Sequence, residues 1–161
     1  MKQKINRMFL LVVGFLSLFL YGCARIDAVA TNALSSGMDA VAVVDDQILI
    51  GRLRLFPDRT GDLVLQKEKP EENGSTLQCM GRLWFAASRQ GTIDLRCNNG
   101  LSSALTFVMV GDISGYAMGS GTTGDLSVAF GLNNDVAISY LRVTPPKRLL
   151  LNSVTGAIEI Q

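Results

Sequence analysis

From residue 40 onward the chain is written in short apolar runs, rich in Val, Ile, Leu, Phe and Thr, broken every few residues by Gly, Asn, Asp or Pro. Runs of that length and composition, bounded by turn formers, predict strands rather than helices. They fall at 41–44, 48–55, 63–66, 76–85, 92–97, 104–110, 113–118, 126–130, 136–143 and 156–160. In the second of these Arg52 and Arg54 alternate with Leu53 and Leu55, the period-two pattern of a strand with one buried face. Ten short strands and no helical periodicity predict an all-β domain, a single antiparallel β-sandwich or small β-barrel.

Four segments share an opening: Gly61-Asp62-Leu63, Gly91-Thr92-Ile93, Gly111-Asp112-Ile113 and Gly124-Asp125-Leu126. Their unequal spacing excludes a fixed-period solenoid. The shared opening reads as hairpin chemistry, with glycine at a left-handed turn position and the next apolar residue starting an inward face.

The pattern before residue 40 differs. Residues 1–7 carry three cations and no anion, and residues 8–20 are apolar except for Gly14 and Ser17. This is the layout of a secretory signal peptide. At about 1.5 Å per helical residue the apolar run spans about 20 Å, short of a hydrocarbon core about 30 Å thick. Leu20-Tyr21-Gly22-Cys23 follows. It resembles the bacterial lipobox, although Tyr21 occupies a position usually held by Ser, Ala, Thr or Val. The resemblance implies a lipoprotein: cleavage before Cys23, a diacylglyceryl thioether on its sulfur and an acylated amino terminus. Several chains give lasting attachment where one binds reversibly. Ala24, in place of the aspartate that often signals inner-membrane retention, implies the outer membrane, with the domain in the periplasm. Residues 1–22 are therefore expected to be a signal peptide, 23–39 a lipidated tether and 40–161 the β domain.

Charge sharpens this picture. The whole chain carries 15 Lys/Arg against 14 Asp/Glu, and loss of the three cations in residues 1–22 leaves 12 against 14. A slightly acidic domain lacks the cation excess of a nucleic-acid binder.

Three cysteines are present, and lipidation of Cys23 leaves Cys79 and Cys97. An even pair in an exported domain is expected to oxidise, and each lies at period two from apolar neighbours, so both should face the interior of adjacent strands. The segment Cys79-Met80-Gly81, followed by Gly91 to Leu95 and Cys97-Asn98-Asn99-Gly100, resembles small exported bacterial β domains of unassigned function. That likeness implies a fold and no activity.

Catalytic chemistry is sparse. With no histidine, the chain alone builds no Ser-His-Asp triad, Cys-His pair, HExxH helix or His-ligated zinc site. Asp45-Asp46 offers two carboxylates, but adjacent strand residues face opposite sides and the pair reads as a turn. Asn133-Asn134-Asp135 lacks the spaced acids of a calcium loop. No cofactor, metal or catalytic residue is expected. Two other features read as structure: Trp84, the only tryptophan, as part of the core, and the stiff basic segment 144–148 as a linker.

The glycine-rich stretch from Gly115 to Gly124 lacks the GxxxxGK signature of a phosphate loop and is expected to form a hairpin tip. It is the candidate binding loop, with Tyr116, Gly119, Ser120, Gly121, Thr122 and Thr123 as contact residues. Together these readings describe an outer-membrane lipoprotein that is a non-enzymatic accessory or scaffold subunit of an envelope assembly. Its expected partners are the bilayer, through Cys23, and an envelope protein. The alternative is a binding module for a soluble target, such as a hydrolase inhibitor or an adhesin.

Overall fold

The structure, a computed structural model, describes residues 35–68, 76–121 and 124–161. The lipobox and Cys23 lie outside the described residues. Ser36–Gln161 forms one compact unit.

Eight strands run in chain order: β1 Ser36–Val44, β2 Gln47–Leu55, β3 Thr60–Lys67, β4 Gln78–Phe85, β5 Gln90–Cys97, β6 Ser102–Met109, β7 Gly115–Ser120 and β8 Asp125–Phe130. Each pairs antiparallel with the next, and β8 pairs back onto β1, so the sheet closes into a barrel. The register can be followed once round from Ser36 through Leu55, Gly61, Leu83, Ile93, Leu105, Gly119 and Leu126, continuing the β6–β7 and β8–β1 ladders by one residue each. It returns to Val44, eight residues further along β1. Eight strands with that stagger tilt by about 36° and enclose a space only wide enough for side chains.

Side chains fill it. Alternate residues of every strand point inward, among them Leu49, Leu53, Leu63, Leu65, Leu83, Ile93, Leu95, Leu105, Phe107 and Phe130, all buried. Phe107 meets Phe85 edge-to-face with ring centroids 4.9 Å apart, and Phe130 at 6.5 Å. Inward glycines make room for these rings. A Cβ on Gly91 would lie 2.4 Å from Phe107 Cε1, and one on Gly115 would lie 2.7 Å from Phe130 Cζ. The shared glycine opening is thus misread as turn chemistry at Gly61 and Gly91. Both sit inside strands, facing the interior; the left-handed turn positions are held by Asp45, Asp46 and Arg59 and by other glycines, Gly100 and Gly156 among them.

The C-terminal segment departs furthest from expectation. Residues 136–143 do not form a strand. Asn134–Ala137 is a single helical turn, α1, and the buried apolar side chains of this segment are Ala137 at its end and Leu141 beyond it. A short hairpin follows, β9 Leu149–Leu151 with β10 Ile158–Ile160. Ala137, Leu141 and Ile158 cover Val41, Val43 and Ala129 on the outside of β1 and β8. Those two strands are therefore buried on both faces. The one polar side chain enclosed there, Ser127, uses its hydroxyl oxygen to accept the Arg142 backbone N–H at 2.8 Å. Sequence boundaries shift elsewhere too. β1 begins at Ser36, taking in the last four residues assigned to the tether, and β7 begins at Gly115 rather than Ile113, which is exposed in the preceding turn.

Cys79 and Cys97 are directly opposed on β4 and β5 and form a disulfide. Cys79 is fully buried, and the half-buried Cys97 packs against the same core.

Candidate functional site

The barrel and its C-terminal cover leave one broad face of sheet open, on β2 to β5. Its side chains are the outward halves of alternating strands. The residues in phase with Leu53, Leu63, Leu83 and Ile93 go inside, so their neighbours must point to solvent. Antiparallel register then sets these neighbours in rows. In one row Arg54, Asp62, Arg82 and Asp94 stand opposite one another across four strands, a ladder of alternating charge. All four are exposed, and among the described residues none is within ion-pair distance of another. The adjacent row reads Arg52, Val64, Met80 and Arg96, so two apolar side chains meet at its centre with an arginine at each end.

Val64 is 54% exposed and Met80 69% exposed. Trp84, on the other side of the charge ladder, is opposite Thr60 and Thr92 and is 39% exposed. This corrects the expectation of a core tryptophan. Leu83 is in phase with the buried Cys79, so Trp84 must be outside. Met, Trp and Arg together make the composition that anchors protein–protein contacts, and isolated exposed apolar residues do not.

The predicted binding loop has a different shape. Tyr116, Gly119 and Ser120 belong to β7 rather than to a hairpin tip. The Tyr116 ring stacks on Tyr140 with centroids 4.5 Å apart, and the Ser120 carbonyl accepts the Ser103 hydroxyl at 2.9 Å. Gly121 donates its N–H to the Gly124 carbonyl to close the turn, and Thr122 and Thr123 lie outside the described residues.

Asp45-Asp46 forms the two-residue β1–β2 turn, with φ of 50° and 55°. The Asp46 carboxylate accepts the Thr144 backbone N–H at 2.9 Å and the Lys147 ammonium at 3.0 Å, pinning the start of the C-terminal cover to the barrel. The Thr144 N–H, then Lys147, hold its carboxyl below the ordinary aspartate range. Asp58, in the β2–β3 turn, is likewise lowered by the Thr60 hydroxyl and then the Thr60 N–H. These carboxylates are structural, and among the described residues no group of three or more acidic, Cys or His side chains could hold a metal.

A groove of about 550 Å³ runs between β2 and the C-terminal hairpin, floored by Val41, Ile48 and Ile158 and rimmed by Asp39, Arg52 and Glu68. Its floor belongs to the packing that seats the cover.

No family model matches the chain, and no curated protein matches it. Among solved structures a redesigned beta barrel is similar, with 13% identity and a TM-score of 0.46 over 59% of this chain and 87% of that one.

Proposed function

We propose that the chain is a bacterial outer-membrane lipoprotein, held by acyl chains on Cys23, and that its barrel is a non-enzymatic accessory or scaffold subunit of an envelope assembly. The observation that carries the protein-contact part of this reading is the open face of β2 to β5, where Val64 and Met80 stand exposed between arginines and Trp84 stands exposed beyond the charge ladder on the same strand as Met80. The lipobox resemblance at Leu20-Tyr21-Gly22-Cys23 carries the anchoring part. A barrel filled by its own side chains offers its outside, not its lumen, for contact. The alternative is a binding module for a soluble target acting through residues 115–124, of which 115–120 form β7.

Photocrosslinking in cells tests this. A photoreactive residue at Met80 of the full-length chain is expected to capture defined envelope proteins, and a matched probe at Val154, 91% exposed in the C-terminal hairpin, is not. Cys23→Ser should abolish the captures and release the chain from the membrane fraction. Equal capture at both positions, or membrane retention without Cys23, would overturn the reading.

A further inference from the structure

We infer that the β3–β4 face is an isologous contact between two copies of this chain, related by a two-fold axis lying between those strands and parallel to them. The inference rests on the reading of this face as a protein contact, and it names the partner.

The pattern of its two central strands is its own complement. A two-fold axis that brings two surfaces face to face must lie in the interface plane. If it runs parallel to β3 and β4, each residue of β3 meets the residue of the partner's β4 that stands opposite it in the register. Asp62 then faces Arg82 of the second copy and Arg82 faces its Asp62. One row along, Val64 faces Met80 and Met80 faces Val64, while Trp84 lies over Thr60. Opposite charges meet twice, and apolar surface meets apolar surface between these two strands; on the flanking strands Arg54 lies over Asp94 and Arg52 over Arg96, a like pair held apart only because those strands curve away. Neither carboxylate nor guanidinium is committed to an ion pair within its own chain, so both are free to make one across the axis.

The other in-plane axis, across the strands and through the charged row, sets Asp62 on Asp62 and Arg82 on Arg82. Like charges in contact cost several kcal/mol and exclude it. The charge pattern therefore selects one orientation, and that orientation has a second property. An axis parallel to the strands leaves the amino-terminal ends of both β1 strands pointing to the same side, each barrel leaning from the axis by about the 36° strand tilt. Two chains anchored by Cys23 could then share one bilayer. The excluded axis would point the amino-terminal ends of the two β1 strands in opposite directions.

Curvature limits the contact. The flanking strands of a small barrel fall away, so two strands from each copy supply most of the buried surface, at the low end for specific interfaces. Such a contact suits proteins already confined to a membrane, where effective concentration is high.

The test uses two differently tagged full-length chains in the same cells, one carrying a photocrosslinker at Met80. Wild-type pairs should yield an adduct bearing both tags. With Asp62→Arg in both copies, or Arg82→Asp in both, the facing charges become alike and the adduct should fall at least about tenfold. One copy of each variant should restore it, because the arginine introduced at 62 then faces the aspartate introduced at 82, and the two native side chains face each other. Each variant alone places like charges side by side within its chain, so recovery in the mixed pair reports the contact between copies and shows that both variants fold. A double-tag adduct indifferent to either reversal, or one not restored by mixing, overturns the inference. Adducts at Met80 with other envelope proteins and none with a second copy would also overturn it while sparing the protein-contact reading, and no adduct of any kind would sink both.

Discussion

Replacing Phe107 with alanine probes the statement on which the rest depends, that this barrel is solid. Phe107 is fully buried in the interior, edge-to-face with Phe85 at 4.9 Å and with Phe130 at 6.5 Å. Deleting a buried phenylalanine ring removes its transfer free energy and leaves a cavity, together costing about 3–5 kcal/mol. Two aromatic contacts, each worth about 0.5–1.5 kcal/mol beyond area, place the expected loss in the upper half of that range, at about 4 kcal/mol. Gly91 cannot offset it by collapse, since it contributes no side chain beneath the ring and its backbone is fixed in the β4–β5 and β5–β6 ladders. Urea unfolding with the disulfide intact is the assay, followed by the fluorescence of Trp84 and by circular dichroism. With a slope of about 2 kcal/mol per molar urea, the midpoint should fall by about 2 M. A loss below about 1 kcal/mol would refute the reasoning, because it would mean that the ring borders an existing void. The interior would then be a container, and the functional argument would have to move from the outside of the barrel to its lumen.

Two further outcomes follow from the covalent and ionic ties. Cys79→Ala with Cys97→Ala removes a link across 18 residues of sequence; the chain-entropy account gives a loss of about 3 kcal/mol, read as a lower urea midpoint than that of the oxidised protein, and no shift would contradict it. Asp46→Asn keeps a carbonyl for the Thr144 N–H but removes the charge facing Lys147, and should cost about 1 kcal/mol. Because folding lowers the Asp46 pKa below 3.8, its contribution is present above that value and disappears as pH falls through the folded pKa. Wild type should therefore lose more stability than Asp46→Asn between about pH 5 and pH 2, measured as the difference between their thermal midpoints, and parallel curves would remove Asp46 as the tie.

Much of the barrel was legible along the chain. The alternation of Leu53, Leu63, Leu83 and Ile93 with polar and charged neighbours determined four of the strands, β2 to β5, and which of their faces is buried, because a strand's period of two leaves no freedom once one residue is assigned. The same rule joined Cys79 to Cys97. Applied one step further, it also places Trp84 outside, since 79, 81 and 83 share the inward phase; the general preference of tryptophan for burial hid that signal. The apolar run 40–44, and 126–130 with Ser127 as its single polar residue, carried another, for runs without alternation mark strands buried on both faces and so call for a cover.

What tertiary structure alone decided is relational. Closure of β8 onto β1 depends on the summed stagger of eight ladders, which no single segment contains. Ala137 at the end of the helical turn Asn134–Ala137, and Leu141 after it, pack with Val41, Val43 and Ala129, a surface that exists only after closure. The glycines of β7 acquired their purpose the same way, Gly115 as space for Phe130 and Gly119 as space for Leu105, rather than as a hairpin tip. The charge ladder across Arg54, Asp62, Arg82 and Asp94 joins residues 40 positions apart, from Arg54 to Asp94, and register is what aligns them. Local pattern specifies which way each side chain points. Only the assembled sheet determines which side chain it meets.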